Sequence, residues 1–194
     1  MLDLGCGNAT HRGVGEHAGF QYVGLDYSAA GAPMLGDAQV LPFKDNCFEF
    51  VLSVAVLEHI RYPFLMTKEA FRVLEPGGSF VGTVAFLEPF HGDSLYHHTH
   101  LGIYNALKAA GFDIQLVAPD PKWSGLTAQA RLALFPGMPE PFADLMALPL
   151  HLTHRLWWRL ANLASGGRKA KESRRVLWNT GAFTFVAVKP NSLF

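Results

Sequence analysis

The start of this chain limits its fold more than any other stretch. Met1–Leu4 is predicted to be the remnant of a strand, and Gly5-Cys6-Gly7 then turns the chain, because glycine has no Cβ to obstruct a tight turn. In sheets of parallel strands, the carboxyl end of a strand is where ligands bind. Strand-like apolar runs then alternate with helix-like segments, which predicts βαβ units and a mainly parallel sheet.

The predicted elements divide one domain into three parts, which are a core at 1–117, a helical insert at 118–180, and a final strand and tail at 181–194. The predicted strands lie at 1–4, 20–25, 48–53, 79–86, 112–117 and 182–188, with a short one leading into Gly36. The predicted helices lie at 9–19, 67–74 and 101–110. Thr99 stands where it can cap the last of these helices.

The composition excludes several classes of protein. The chain has 16 Lys and Arg against 16 Asp and Glu, so it lacks the broad positive charge of a general nucleic-acid binder. Two cysteines, Cys6 and Cys47, cannot make a disulfide framework, and the sequence has no uninterrupted apolar stretch long enough to span a membrane. The sequence does not open on a basic segment followed by an apolar run, so we expect a cytoplasmic location.

Acidic residues mark the ends of the predicted strands. Asp3 would repel a phosphate, and its carboxylate suits a cationic ligand or an amino group. Thr10 stands where a dinucleotide-binding fingerprint needs its third glycine, which disfavours that class of ligand. Asp26 can accept hydrogen bonds from ribose hydroxyls, although it could also simply end its strand and start a turn. Asp37 can accept from an exocyclic amine such as that of adenine.

In this order and spacing, the segments LDLGCGN, GLD, GDAQVLPF, FEFVLSVAVLEH and RVLEPGGSF resemble the class I S-adenosylmethionine-dependent methyltransferases, most closely their type 11 small-molecule branch. The resemblance covers roughly residues 1–117 and the strand at 182–188, with Ala9 as a mild departure from the family's glycine loop. It implies an α/β fold with a Rossmann-like, doubly wound, mainly parallel seven-stranded sheet whose last strand is antiparallel.

The resemblance also implies the cofactor, S-adenosyl-L-methionine, which would leave as S-adenosyl-L-homocysteine, and nine residues to hold it. These are Asp3, Gly5 and Gly7 at the methionine end, Asp26 at the ribose, Asp37 and Ala38 at the adenine, and Ser53 near the sulfonium, with Cys6 and Tyr27 beside them. The activated methyl group needs positioning more than acid–base help.

An acceptor that loses a proton would still need a base, for which histidine is suited. His59 and His91 are the candidates placed at the site, with His97, His98 and His100 behind them. As an alternative, Glu58 and His59 only orient the helix that follows. The spacing of the histidine-rich run does not match a helical metal motif, so no metal site is expected.

The insert carries an apolar stripe at helical spacing, interrupted at Pro149, with a basic tail behind it. The stripe consists of Phe142, Leu145, Met146, Leu152, Leu156, Leu160 and Leu163. It predicts either a helical cap over the substrate pocket or an interfacial helix that brings residues 142–175 onto a membrane surface. Both interpretations favour a small or lipid-like acceptor.

Three further expectations concern the start of the chain and the competing functions. Met1 leads directly into a strand, whereas the family usually carries a helix and the rest of that strand beforehand, so we expect a minimal form, a fragment or an alternative start. Such a chain would have a shortened first strand and an open cofactor site. A degenerate methyltransferase fold serving as a scaffold, and a nucleotide-dependent oxidoreductase, are the alternative functions.

Overall fold

A computed structural model describes residues 1–89, 92–166 and 172–191 of the chain. Its residues cluster into two compact units. The first comprises Met1–Val84, Ser94–Val117 and Thr184–Phe194, and the second comprises Ala85–Asp93 and Ala118–Phe183.

Seven strands form one sheet in the order β3-β2-β1-β4-β5-β7-β6. They are β1 (Leu2–Leu4), β2 (Val23–Asp26), β3 (Met34–Leu35), β4 (Phe48–Val54), β5 (Leu74–Ala85), β6 (Asp113–Pro119) and β7 (Ala182–Val188). The pairs from β3 through β5 are parallel. The start of β5 bonds to the end of β7, since Gly77 N lies 2.8 Å from the Lys189 carbonyl oxygen, so β7 runs antiparallel. The predicted fold class, including the antiparallel last strand, is confirmed.

Helices cover the sheet and build the insert. They are α1 (Arg12–His17), α2 (Pro63–Val73), α3 (His100–Ala110), α4 (Gly125–Gln129), α5 (Glu140–Ala164) and α6 (Glu172–Trp178), with a 3₁₀ turn at Leu57–His59 and a π-helical turn at Ala130–Leu134.

Several predicted bounds were wrong, and each difference has a local cause. The first helix is shorter than 9–19 because Ala9 has the left-handed φ of 59°, which belongs to the glycine turn. Helix α2 begins at Pro63, because the fixed φ of proline suits the first helical position. Helix α5 is not interrupted at Pro149, where only one backbone donor is lost and good helix formers continue on both sides. The Thr99 cap is confirmed, since its Oγ1 accepts from Gly102 N at 3.0 Å.

Three phenylalanines form the centre of the core of the first unit. The ring centroid of Phe80 lies 5.6 Å from that of Phe112 and 4.9 Å from that of Phe185, and all three side chains are fully buried. Burying such rings is a main source of stability for a sheet of this size. Leu2 and Leu4 of β1 are also fully buried, which fixes the strand that leads into the glycine turn.

A buried lysine joins the end of β7 to the end of α2. Lys189 Nζ donates to Asn46 Oδ1 at 2.7 Å and to the carbonyl oxygens of Phe71 and Leu74 at 2.8 and 2.7 Å. The ammonium also lies 4.8 Å from the Phe71 ring centroid. Burial lowers the pKa of Lys189, and these oxygen partners compensate for the lost hydration.

A cluster of ion pairs connects the segment that follows β3 to α2. Arg72 donates from Nε and Nη2 to the two carboxylate oxygens of Glu69, each at 2.7 Å, and from Nη1 to Asp45 Oδ1 at 2.7 Å. Leu41 N donates to Glu69 Oε2 at 2.7 Å. The hydrogen bonds from Arg72 hold the pKa of Glu69 below its usual value. The cluster fixes the chain just after Asp37 and Ala38.

The second unit is organised around an arginine. Arg131 donates to both oxygens of Asp144 at 2.9 and 2.6 Å, bonds to Glu140, and lies 5.7 Å from the Trp123 ring centroid. These bonds connect the π-helical turn to the start of α5. Both carboxylates of α5 are therefore engaged within this unit.

Candidate functional site

The glycine turn after β1 uses the left-handed backbone region, which favours glycine. Gly5 has a φ of 69°, and a Cβ there would lie 2.4 Å from Val56 Cγ2. Gly7 has a φ of 54°, and a Cβ there would meet nothing within 4 Å. The turn is therefore closed on the Val56 side and open above Gly7, where a ligand can approach the backbone.

Asp26 is bound to this turn from the next strand. Its Oδ2 accepts from Gly7 N at 2.9 Å, and its Oδ1 accepts from Ser28 N and Ala29 N at 3.0 and 2.9 Å. Burial alone would raise the pKa of Asp26, but the backbone N–H donors together hold it below the ordinary value. A carboxylate has about four acceptor positions, so Oδ2 keeps one for a ligand hydroxyl.

Asp3 lies beneath the turn, fully buried in β1. Its Oδ2 accepts from the Tyr22 hydroxyl at 2.7 Å and lies 3.2 Å from His11 Nδ1. Its Oδ1 is buried and has no hydrogen-bond partner among the described residues. A buried carboxylate oxygen without a donor is costly, so Oδ1 is suited to a donor from a bound ligand.

The remaining predicted cofactor residues divide into half-buried, buried and exposed positions. Asp37 Oδ1 accepts from Gln39 N at 2.8 Å, and Ala38 beside it is buried. Ser53 on β4 is fully buried, and its Oγ has no partner among the described residues. Tyr27 is 78 % exposed beside Asp26.

Cys6 lies in the glycine turn with its side chain directed into the protein interior. Its thiol is buried, and a Cβ on Gly24 would lie 2.9 Å from the Cys6 Sγ. Burial raises the pKa of Cys6, and the charges of Asp3 and Asp26 act in the same direction. The thiol therefore stays protonated and serves packing.

The strand pairing brings these residues to one edge of the sheet. Leu4 pairs with Leu25 on one side and with Ser53 on the other, and all three strands are parallel. Their carboxyl ends consequently meet where the glycine turn, Asp26 and Ser53 lie.

The histidines occupy different environments. His59 is half-buried in the 3₁₀ turn after β4, and the predicted His91 lies outside the described residues. His97 and His100 are half-buried, whereas His98 is only 9 % exposed. From the sequence, His98 ranked below His59 and His91 as a candidate base, because a loop sequence does not show which histidine the fold will bury. No cluster of three potential metal ligands occurs in the described ranges.

A pocket of about 600 Å³ lies between α2 and α3. Its lining is mostly apolar and aromatic, and both helices begin at the carboxyl edge of the sheet. The lining residues are Arg61, Tyr62, Pro63, Phe64, Leu65, Tyr96, His98, Gly102, Asn105 and Ala106. Sequence reasoning did not find this pocket, because it depends on how the two helices pack.

Comparison with known proteins relates part of the chain to one family. Residues 2–82 match a family described as a methyltransferase domain. This match, together with the relatives below, supports a class I S-adenosylmethionine-dependent methyltransferase. An uncharacterized methyltransferase of Mycolicibacterium gilvum is 30 % identical over 120 residues, which are 55 % of this chain and 47 % of that protein. One from Mycobacterium tuberculosis is 30 % identical over 116 residues, or 53 % of this chain and 46 % of that protein. The chain thus spans about half the length of these relatives.

Solved structures support the methyltransferase fold. The [4+2]-cyclase SpnF superposes with a TM-score of 0.62 and 20 % identity, covering 98 % of this chain and 74 % of that chain. Phosphoethanolamine N-methyltransferase 2 of Haemonchus contortus superposes with a TM-score of 0.62 and 22 % identity, covering 98 % and 48 %. One neighbour is a cyclase and the other a methyltransferase, so the fold by itself does not determine the reaction.

Proposed function

We propose that this protein is a class I methyltransferase that transfers a methyl group from S-adenosyl-L-methionine to a small or lipid-like acceptor. The observation that carries the proposal is the turn at Gly5-Cys6-Gly7, which is open above Gly7 and bonded through Gly7 N to the Asp26 carboxylate. The motif resemblance assigns this arrangement to the cofactor.

The residues present fit such a cofactor chemically. Asp3 Oδ1 is a buried acceptor without a donor, which suits the ammonium of the methionine end. Asp26 keeps an acceptor position for a ribose hydroxyl, and Ala38 offers an apolar contact for the adenine. The bound cofactor supplies a methyl group already activated on a sulfonium, so this chain's residues have only to bind it, orient the acceptor in line and accept a proton.

Binding of S-adenosyl-L-homocysteine, followed by calorimetry, tests the proposal at Asp26. We expect Asp26→Ala to weaken binding by about 5- to 150-fold, because charge-assisted hydrogen bonds worth roughly 1–3 kcal/mol are lost. Asp113→Ala, at an exposed strand position, is the matched control. Asp26→Asn keeps one acceptor oxygen and should retain part of the affinity.

Other outcomes would contradict the proposal in distinguishable ways. If the wild-type chain binds neither S-adenosyl-L-methionine nor its product, the proposed cofactor is wrong. Binding of NADH in its place would favour the oxidoreductase alternative. Cofactor binding with no turnover on any acceptor would favour a scaffold on a methyltransferase fold.

We also propose that α5 contacts an anionic membrane surface, which would bring a lipid-like acceptor to the enzyme. The face of α5 that packs carries Ala143 and Ala147, which are buried, with His154 and Trp158 half-buried beside them. The opposite face carries the predicted apolar stripe, whose members are between 51 % and 78 % exposed. The stripe therefore points away from the packed face, which favours the interfacial helix over the cap.

The charges on this segment suit an anionic surface. No acidic residue occurs from Leu145 to Lys171, whereas Arg155 and Arg159 lie on α5 next to the stripe. The side chain of Trp157 is 68 % exposed, as is common where a helix meets lipid headgroups. In the described ranges no helix is long and apolar enough to cross a membrane, so the contact would be peripheral.

Co-sedimentation with phosphatidylcholine vesicles, with and without phosphatidylglycerol, tests this contact. We expect Leu152→Ser with Leu156→Ser to reduce binding by roughly tenfold or more, because each buried leucine contributes about 1.5–3 kcal/mol. Leu35→Ser with Leu101→Ser, two similarly exposed leucines elsewhere, is the matched control. Replacing both helix arginines by glutamine should remove the preference for phosphatidylglycerol. Equal sedimentation of all variants would refute the contact, and concentration-dependent dimers without vesicle binding would assign the stripe to a second copy.

A further inference from the structure

The pocket between α2 and α3 has the size and lining of a small-molecule site. Its volume of about 600 Å³ falls within the range of roughly 300–1,000 Å³ that is usual for such sites. Thr67 Oγ1 donates to the Ala106 carbonyl oxygen at 3.3 Å, which joins the two helices below it. Gly102 leaves the α3 side open, since a Cβ there would meet only Thr99 Oγ1 at 3.4 Å.

Exposed aromatic rings surround this pocket. Tyr62, Phe64 and Tyr96 are 57 %, 45 % and 43 % exposed, although large apolar side chains are usually buried. The Tyr96 hydroxyl donates to the Arg61 carbonyl oxygen at 2.9 Å, which orients its ring toward the pocket. Rings that converge on one cavity favour a flat apolar ligand.

His98 supplies a specific polar group in the wall. One of its ring nitrogens donates to the Leu57 carbonyl, and Nε2 is buried with no partner among the described residues. The donor is therefore Nδ1. Burial lowers the pKa of His98 despite that hydrogen bond, so the imidazole is neutral near pH 7 and Nε2 carries a lone pair.

An unpaired buried acceptor favours a ligand that donates a hydrogen bond to it. Of the lining residues that the structure describes, Arg61 alone carries a formal charge, and none is a carboxylate. A protonated amine would find no counter-charge there, so a neutral hydroxyl suits the site better.

We propose that the α2–α3 pocket binds a neutral aromatic ring whose hydroxyl group donates a hydrogen bond to His98 Nε2. The ligand reaches Nε2 when the Tyr96 ring, whose centroid lies 6.0 Å from that of His98, moves aside and its exposed hydrogen bond to the Arg61 carbonyl oxygen is replaced by one to water. Side-chain adjustments of this kind are common on binding. Binding of such a ligand in this pocket does not depend on the proposed function. The further inference that the ligand is the methyl acceptor rests on the proposed function.

Calorimetric titration of the whole chain with 4-ethylphenol and with ethylbenzene, in the absence of cofactor, tests the pocket. We expect the wild-type chain to bind 4-ethylphenol about three- to tenfold more tightly than ethylbenzene, which is the effect of one hydrogen bond. His98→Phe should abolish this difference while ethylbenzene still binds. Gly102→Leu should weaken both ligands by roughly tenfold or more by filling the cavity, whereas Ala109→Leu on the same helix should not.

Three results would overturn the inference. These are the absence of 4-ethylphenol binding, equal affinity for both ligands in the wild-type chain, and unchanged binding in the Gly102→Leu variant. A parallel titration with S-adenosyl-L-homocysteine separates the two proposals. Loss of cofactor binding with intact 4-ethylphenol binding would remove the proposed function and leave the pocket, and the reverse would remove the pocket alone.

Discussion

Replacing Tyr22 by phenylalanine probes the support beneath the glycine turn with minimal change in shape. The Tyr22 hydroxyl donates to Asp3 Oδ2 at 2.7 Å, and Asp3 is fully buried. Burial, followed by the hydrogen bond to Asp3, raises the pKa of Tyr22, so the hydroxyl stays a donor throughout the usual pH range. The variant removes this donor but keeps the ring, including the place where Arg12 lies 5.4 Å from its centroid.

The expected loss follows from the charge on the acceptor. A hydrogen bond to a charged group contributes about 1.5–3 kcal/mol, and no cavity is added because phenylalanine fills the same space. His11, at 3.2 Å, is the other donor candidate that the structure gives for Asp3, and its side chain is 33 % exposed. For a chain of this length, the melting temperature should fall by roughly 3–12 °C.

Urea and thermal unfolding followed by circular dichroism measure this loss. Tyr27→Phe removes an exposed hydroxyl from a neighbouring segment and is the matched control. Affinity for S-adenosyl-L-homocysteine should fall in the Tyr22 variant as well, because Asp3 holds the strand that leads into the turn. A Tyr22→Phe variant that unfolds like the control would show that Asp3 does not depend on this donor, and the reasoning about the turn would be refuted.

Three further variants test other parts of the structure. Lys189→Met leaves three oxygens without their donor and should lower the free energy of unfolding by about 2–4 kcal/mol in urea titrations, whereas the exposed Lys122→Met should not. The ionised Glu69 carboxylate stabilises the fold fully above its ordinary pKa of 4.5, and this stabilisation is lost as the pH falls through the lowered pKa of the folded state. In the Glu69→Gln variant, the urea midpoint should therefore depend less on pH in the acid range. Thr99→Ala should lower the free energy of unfolding by about 1 kcal/mol in the same assay. If it lowers this free energy less than the exposed control Thr153→Ala does, the role of Thr99 as a cap is contradicted.

Much of the fold was predictable because its signals are local. The strand at 48–53 is bounded by turn residues and rich in β-branched and aromatic side chains, and β4 occupies Phe48–Val54. The antiparallel direction of β7 came from the family resemblance, since no local pattern distinguishes it. The bounds of α1 and the passage of α5 through Pro149 were missed, because a left-handed Ala9 and a tolerated proline depend on their surroundings.

The candidate site was predictable to the extent that it follows strand ends. Gly5, Gly7 and Asp26 stand at fixed offsets from β1 and β2, so their meeting at one sheet edge follows from parallel pairing. The burial of Asp3 was not predictable, because its partner Tyr22 lies on another segment. Their roles in binding the cofactor remain predictions.

The sequence by itself determined the order of the strands along the chain, the glycine turn and the acids that follow it, because backbone freedom and hydrophobic pattern act over a few residues. Only the tertiary structure decided which histidine is buried in a pocket wall and which face of α5 is exposed. His98 and its neighbour His97 look alike in the sequence, and the leucine stripe of α5 would suit either a core or a surface. Such choices depend on contacts between distant segments, which set the burial of each side chain.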